Sequence, residues 1–136
     1  MTAVDWTALV GRATQVREHA YAPYSGYRVG AALLAADGRV FVGCNVENAS
    51  YGATSCAERG AVAAMVAAGV RAAVAVAVVT QGPEAAAPCG ICRQVLAELA
   101  PGLEVGMAIA GEPAPRRVVA LAELLPEAFT GKMVTG

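Results

Sequence analysis

"YRVGAALLAADGRVFVGCNV", residues 27–46, decides the fold. Two apolar runs flank Asp37-Gly38, the strongest short hairpin signal in the chain, so strands are expected at about 27–35 and 39–46. Upstream, "YAPYSG" (21–26) is a loop, because Pro23, Ser25 and Gly26 all favour turns. Before it, residues 4–20 have the pattern of an amphipathic helix, with Trp6, Leu9, Val10 and Val16 apolar and Arg12, Arg17 and Glu18 polar. Downstream, "ENASYGATS" (47–55) is a loop of turn formers leading into a helix at about 56–69. A valine-rich run at 73–80, apolar until its last residue, fits a strand covered on both faces. After the loop "QGPEAAAP" come a helix at about 90–99, a strand at about 104–110, and a turn over 111–117. A short strand at 117–120 and a short helix in "LAELL" precede Pro126. The order αββαβαβ(β)α implies an α/β fold with a mixed sheet covered by helices on both faces.

The chain has 136 residues, enough for one domain, 1–136, with a real core. It is 57% hydrophobic, with a mean hydropathy of +0.51. Much of that is alanine, which permits close helix–sheet packing but buries little area per residue, so an apolar oligomer interface is expected. The most apolar stretch, Ala61 to Val79, is broken by Gly69 and Arg71 into a helix and a strand, each too short to cross ~30 Å of hydrocarbon. The N-terminal "MTAVDWTALVGRATQVREHA" scatters charges and lacks an apolar signal core, as in a mature cytoplasmic chain. Ten basic and eleven acidic residues give a net charge of −1, and no basic run exceeds Arg116-Arg117. The electrostatic footprint of a nucleic-acid binder is therefore missing, and a small partner is expected. Four cysteines in a cytoplasmic chain point to metal binding or catalysis rather than disulfides.

Three of those cysteines fall in "TSCAERGAV" (54–62) and "APCGICRQVL" (87–96). Cys89-x-x-Cys92 opens one expected helix and Cys56 opens another, so three sulfurs can converge at two helix N-termini, where exposed N–H groups lower thiol pKa. Three thiolates are a sufficient soft ligand set for zinc and leave a fourth tetrahedral position for water. His19, the only histidine, lies in the first helix with no partner at metal-binding spacing, and Cys44 lies inside a strand as a buried thiol. An open, catalytic site is the expectation. A lone Glu on a surface helix is ordinarily a solvated charge, but Glu58 lies two residues from Cys56, where it can move protons to and from water at the metal. Zn²⁺ with three thiolates carries a net charge of −1. Arg59 and Arg93 each follow a ligand or catalytic residue and can donate to the sulfurs.

Cys-x-Glu followed by Pro-Cys-x-x-Cys resembles the zinc nucleobase-deaminase signature, in which the glutamate is the acid/base and not a ligand. "YAPYSGYRVGAALL", "GCNVENASYG" and "ELLPEAF" narrow the resemblance, along nearly the whole chain, to the small homotetrameric cytidine deaminases. That resemblance implies a three-layer α/β/α fold with about five strands and one zinc per chain held by Cys56, Cys89 and Cys92. It implies hydrolysis of cytidine and deoxycytidine to uridine and deoxyuridine, a reaction of pyrimidine salvage, with Glu58 moving the protons. It also implies that Asn45 and Glu47 hold the ribose hydroxyls, that Asn48 and Tyr51 belong to the same substrate loop, and that Ala57 contacts substrate. Phe129 matches an aromatic residue that packs on the substrate of a neighbouring subunit.

Two departures stand out. Tyr27 replaces the phenylalanine usual against the pyrimidine and adds a hydroxyl that needs a partner. Gly60 replaces a small polar or β-branched residue and weakens a helix interior by up to ~1 kcal/mol. The nearest rival is the same chemistry on another aminopyrimidine nucleoside such as blasticidin S, which "NVENASYG" disfavours because its Asn/Glu pair suits ribose. A structural zinc module leaves Glu58 without a role, and a redox protein using Cys89 and Cys92 leaves Cys56 idle.

Overall fold

The computed structural model describes residues 3–135. Asp5 caps the first helix, α1 (Trp6–Arg17), by accepting from Ala8 N at 3.1 Å. A hairpin follows, β1 (Gly30–Ala35) and β2 (Val40–Cys44), then α2 (Ala57–Ala67), β3 (Ala73–Thr80) and α3 (Gly90–Leu99). The chain continues through β4 (Glu104–Ile109), β5 (Arg117–Ala120) and two single-turn helices, α4 (Leu121–Leu124) and α5 (Lys132–Thr135). The five strands form one sheet in the order β2-β1-β3-β4-β5, antiparallel throughout except for the β3–β4 pair. The mixed sheet agrees with the order of elements in the sequence. No helix among the described residues is long and apolar enough to cross a membrane.

Side chains alternate along β3 and divide the core in two. Ala75, Ala77 and Val79 face Leu9, Val10 and Ala13 of α1. Val76 and Val78 face the opposite layer, with Ala61 and Met65 of α2 and Leu96 of α3. The sheet is thus sandwiched between α1 and the α2/α3 pair, and both metal-motif helices lie on one side of it.

Several boundaries differ from the sequence expectation, among them β2, which ends at Cys44 rather than 46, and α2, which runs Ala57–Ala67 rather than 56–69. The first helix ends at Arg17 rather than at residue 20, closing in a turn where Ala20 N donates to Arg17 O at 3.1 Å. β1 begins at Gly30 rather than 27 because the Asn45 side chain takes over the pairing. Its Oδ1 accepts from Val29 N (2.8 Å) and its Nδ2 donates to Tyr27 O (2.7 Å). α5 was not expected at all, since one turn is too short to carry a periodic signal.

α2 lies directly on β2 because Gly43 has no side chain. A Cβ there would sit 2.8 Å from Gly60 C and closer still to Ala57 O and Ala61 N, all backbone atoms that cannot step aside. Gly43→Ala is expected to destabilise the fold by about 3 kcal/mol, at the upper end of the overpacking range, and to displace the start of α2. Gly60→Ala is expected to do the reverse. Its Cβ would meet Gly43 Cα at 3.5 Å, an ordinary contact, and relief of the helix penalty stabilises by up to about 1 kcal/mol. Urea midpoints of the two variants check both signs.

Candidate active site

Cys56 is the N-cap of α2 and Cys89 the N-cap of α3, while Cys92 lies in the first turn of α3. Their three sulfurs lie within 4.8 Å of one another, with Cys56 Sγ and Cys89 Sγ 3.8 Å apart. Among the described residues no fourth cysteine, histidine or carboxylate joins the group, and His19 is exposed and takes no part in it. Cys92 is fully buried whereas Cys89 is exposed, so the cluster has a closed back and an open front.

The acidities of the sulfurs favour a cation. Hydrogen bonding from the Cys92 thiol, then from Arg59 and Cys89, pulls the Cys56 thiol down to about 5 against the cost of burial. The same sharing with Cys56, together with burial and the nearby Glu58, pushes the Cys92 thiol up. Without a cation the cluster keeps a proton on Cys92 beside the thiolate of Cys56. A soft divalent ion replaces such protons, and three cysteine sulfurs on two helix N-termini fit one zinc per chain.

Cys56 and Cys89 open onto a cavity of about 230 Å³ that Tyr27, Asn45, Glu47, Ala57 and Glu58 also line. Glu58 is only 4% exposed. Burial, and then the charge of Cys56, raise its carboxyl from 4.5 to about 7, against the lowering pull of a backbone hydrogen bond and of Arg59. Glu47 is anchored by its loop: Oε1 accepts from Tyr24 N (2.9 Å) and Ser25 N (3.1 Å), and Oε2 from the Ser25 hydroxyl. Those bonds, the Ser25 hydroxyl first, hold its carboxyl below the usual range. Asn48 and Tyr51 border an adjoining recess that shares Ser25, Glu47 and Thr54 with the main cavity. The Tyr51 ring meets Tyr24 edge-on at 6.4 Å.

The two arginines divide. Arg59 Nη2 donates to Thr54 O (2.9 Å) and reaches Cys56 Sγ at 3.8 Å, as expected. The expected donation from Arg93 to a sulfur is not what its hydrogen bonds show. Arg93 donates to Pro88 O and Leu124 O, both at 2.7 Å, tying the cysteine loop and α3 to α4. Phe129 is 60% exposed and does not line the cavity of its own chain, and its carbonyl accepts from Gln94 Nε2 at 2.8 Å. Ser25, Val29, Thr54, Val78, Thr80, Ala86 and Ala87 also line the cavity and were not expected from the sequence. Only the polar end of the otherwise apolar β3 run, Thr80, carried a signal.

The profile of the cytidine and deoxycytidylate deaminase zinc-binding region matches residues 5–106, which span both cysteine stretches. The chain belongs to that family. The cytidine deaminase of Halalkalibacterium halodurans is 46% identical over 95% of this chain and 97% of its own length. That of Mycobacterium tuberculosis is 49% identical over 95% of this chain and 92% of its own. A crystal structure of the Burkholderia pseudomallei cytidine deaminase superposes with a TM-score of 0.85 at 50% identity, covering 95% of this chain and 100% of that one. The α/β architecture with its mixed five-stranded sheet is therefore the architecture of the family.

Proposed function

We propose that this chain, residues 1–136 acting as one catalytic unit, hydrolyses cytidine and deoxycytidine to uridine and deoxyuridine with release of ammonia. One observation carries the reading: a buried carboxyl, Glu58, lies on the cavity wall beside the open front of a three-cysteine cluster and has its pKa raised to about 7. A carboxyl poised there accepts and returns a proton near neutral pH with little driving force lost.

When bound by Cys56, Cys89 and Cys92, zinc acts as a Lewis acid that makes hydroxide available near neutral pH. Glu58 accepts a proton from the attacking water and passes it to N3 of the ring as the oxygen bonds to C4. It then carries the remaining hydroxyl proton to the amino group, the C4–N bond breaks, and C4 becomes a carbonyl. Arg59 offsets the negative charge of the sulfurs through its contact with Cys56.

Asn45 and Glu47 are suited to hold the ribose because the loop fixes them first. Asn45 spends one amide hydrogen on Tyr27 O and has one left to donate, and Glu47 Oε2 has a lone pair to spare after the Ser25 hydroxyl. Groups held in place before substrate arrives lose little entropy on binding it. Tyr27 and Ala57 flank the ring, and Asn48 and Tyr51 shape the loop beside the sugar. The exposure of Phe129, outside the lining of its own cavity, supports a role in covering the cavity of a neighbouring chain in a homotetramer with shared sites. We assign the enzyme to the cytoplasm and to pyrimidine salvage.

The test compares kcat/KM for cytidine and blasticidin S on zinc-loaded protein. A clear preference for cytidine supports the reading. A preference for blasticidin S would keep the chemistry and overturn the substrate.

A further inference from the structure

One polar group in the cavity wall has no work in the folded chain. Thr80 closes β3 and is 1% exposed, and its Oγ1 is fully buried without a hydrogen-bond partner. Its backbone is used normally, with Thr80 O accepting from Ala110 N at 2.8 Å. A buried hydroxyl left unpaired costs the fold part of its desolvation, and such groups in native proteins call for an explanation.

Position supplies one. Strand side chains alternate, so Thr80 shares the face of Val76 and Val78, the face covered by α2 and α3. It stands at the strand end nearest the cavity and lines that cavity together with Val78, Ala86, Ala87, Glu58 and Cys89. Asn45 and Glu47, two of the other polar side chains lining the cavity, are already engaged by the loop that holds them. The Thr80 hydroxyl is therefore a free polar atom in an apolar stretch of wall at the reactive end of the site. With Oγ1 itself buried, rotation about the Cα–Cβ bond is the motion by which it would reach an incoming group.

We propose that Thr80 contacts the substrate at the exocyclic group on the reacting carbon, an inference that rests on the deaminase reading above. Deamination converts that group from an amine, which donates, into a carbonyl, which accepts. A fixed amide or carboxylate complements only one of the two. A hydroxyl rotates and serves both, accepting from the amine of the substrate and donating to the carbonyl of the product.

The test uses zinc-loaded wild type, Thr80→Val and Thr80→Ser, with cytidine turnover by the wild type as the control for the deaminase reading itself. Valine keeps the shape and removes the unpaired hydroxyl, so the thermal midpoint should stay level or rise. Cytidine kcat/KM should fall roughly three- to tenfold, the worth of one neutral hydrogen bond, with the inhibition constant for uridine rising by a similar factor. Thr80→Ser should restore most of both. Unchanged kcat/KM and uridine inhibition in Thr80→Val would overturn the proposal. So would a lowered midpoint, which would mean that the hydroxyl already has a partner in the fold, or a serine variant as impaired as valine, which would put the effect in the methyl group.

Discussion

Glu58→Gln should abolish turnover while leaving zinc content and fold intact. The amide has the size of the carboxyl but cannot take a proton from water or return one to the ring and the leaving amine. Because one group serves successive transfers, the loss should reach the upper part of the range for general acid–base catalysis, about 10⁴-fold in kcat. Stability should move the other way. In the metal-free protein the Glu58 carboxyl is raised from 4.5 to about 7 by burial, so the folded state holds its proton to higher pH than the unfolded chain does. Below pH 4.5 both states are protonated and the group makes no difference. As pH rises toward 7 the unfolded chain ionises first, and the wild type loses stability that it does not regain above 7. Gln never ionises, so metal-free Glu58→Gln should exceed metal-free wild type by up to about 3 kcal/mol above pH 7, with the gap closing toward pH 4.5. Denaturant melts of both metal-free proteins at pH 4.5 and 8 read it. A variant with near-normal kcat would remove Glu58 from the chemistry.

Removing the metal should be as severe. Stripping zinc with a chelator, or replacing the buried Cys92 by Ser, should take cytidine turnover to background, and zinc should restore the stripped protein but not the variant. The folded cluster binds the ion and the unfolded chain does so poorly, so loss of metal present at a thousandfold its Kd should cost about 4 kcal/mol and lower the thermal midpoint. Binding must also displace the proton that Cys92 holds beside the Cys56 thiolate. Zinc affinity should therefore rise with pH through the neutral range, and proton release on titrating zinc into unbuffered protein measures it. Unaltered activity in zinc-free protein would contradict the account.

The fold was legible where its determinants are local. Asp37-Gly38 announces the β1–β2 hairpin, and the valine run announces β3. The start of β1 was not legible, because residues 27–29 are held by the side chain of Asn45, and nothing in "YRV" shows which partner it will take. The Cys89/Cys92 pair was legible because its short spacing at one helix start becomes a short distance in space, whereas Cys56, 33 residues before Cys89, joins them only because α2 packs beside α3. Arg93 was misjudged for the opposite reason. Adjacency to Cys92 suggested a sulfur partner, but the guanidinium reaches Leu124, 31 residues away, and only the packing of α4 on α3 brings that carbonyl within range. Thr80 was legible only as the polar end of an apolar run, and the missing partner of its hydroxyl is something no sequence displays.

The central claim is that the cluster formed by Cys56, Cys89 and Cys92 serves deamination of a free nucleoside. The most direct measurement follows the ultraviolet absorbance of cytidine on adding purified protein, with zinc determined on the same sample. The cytidine band should be lost at about one zinc per chain, with ammonia formed in step. A stable cytidine band in protein carrying a full zinc complement would contradict it.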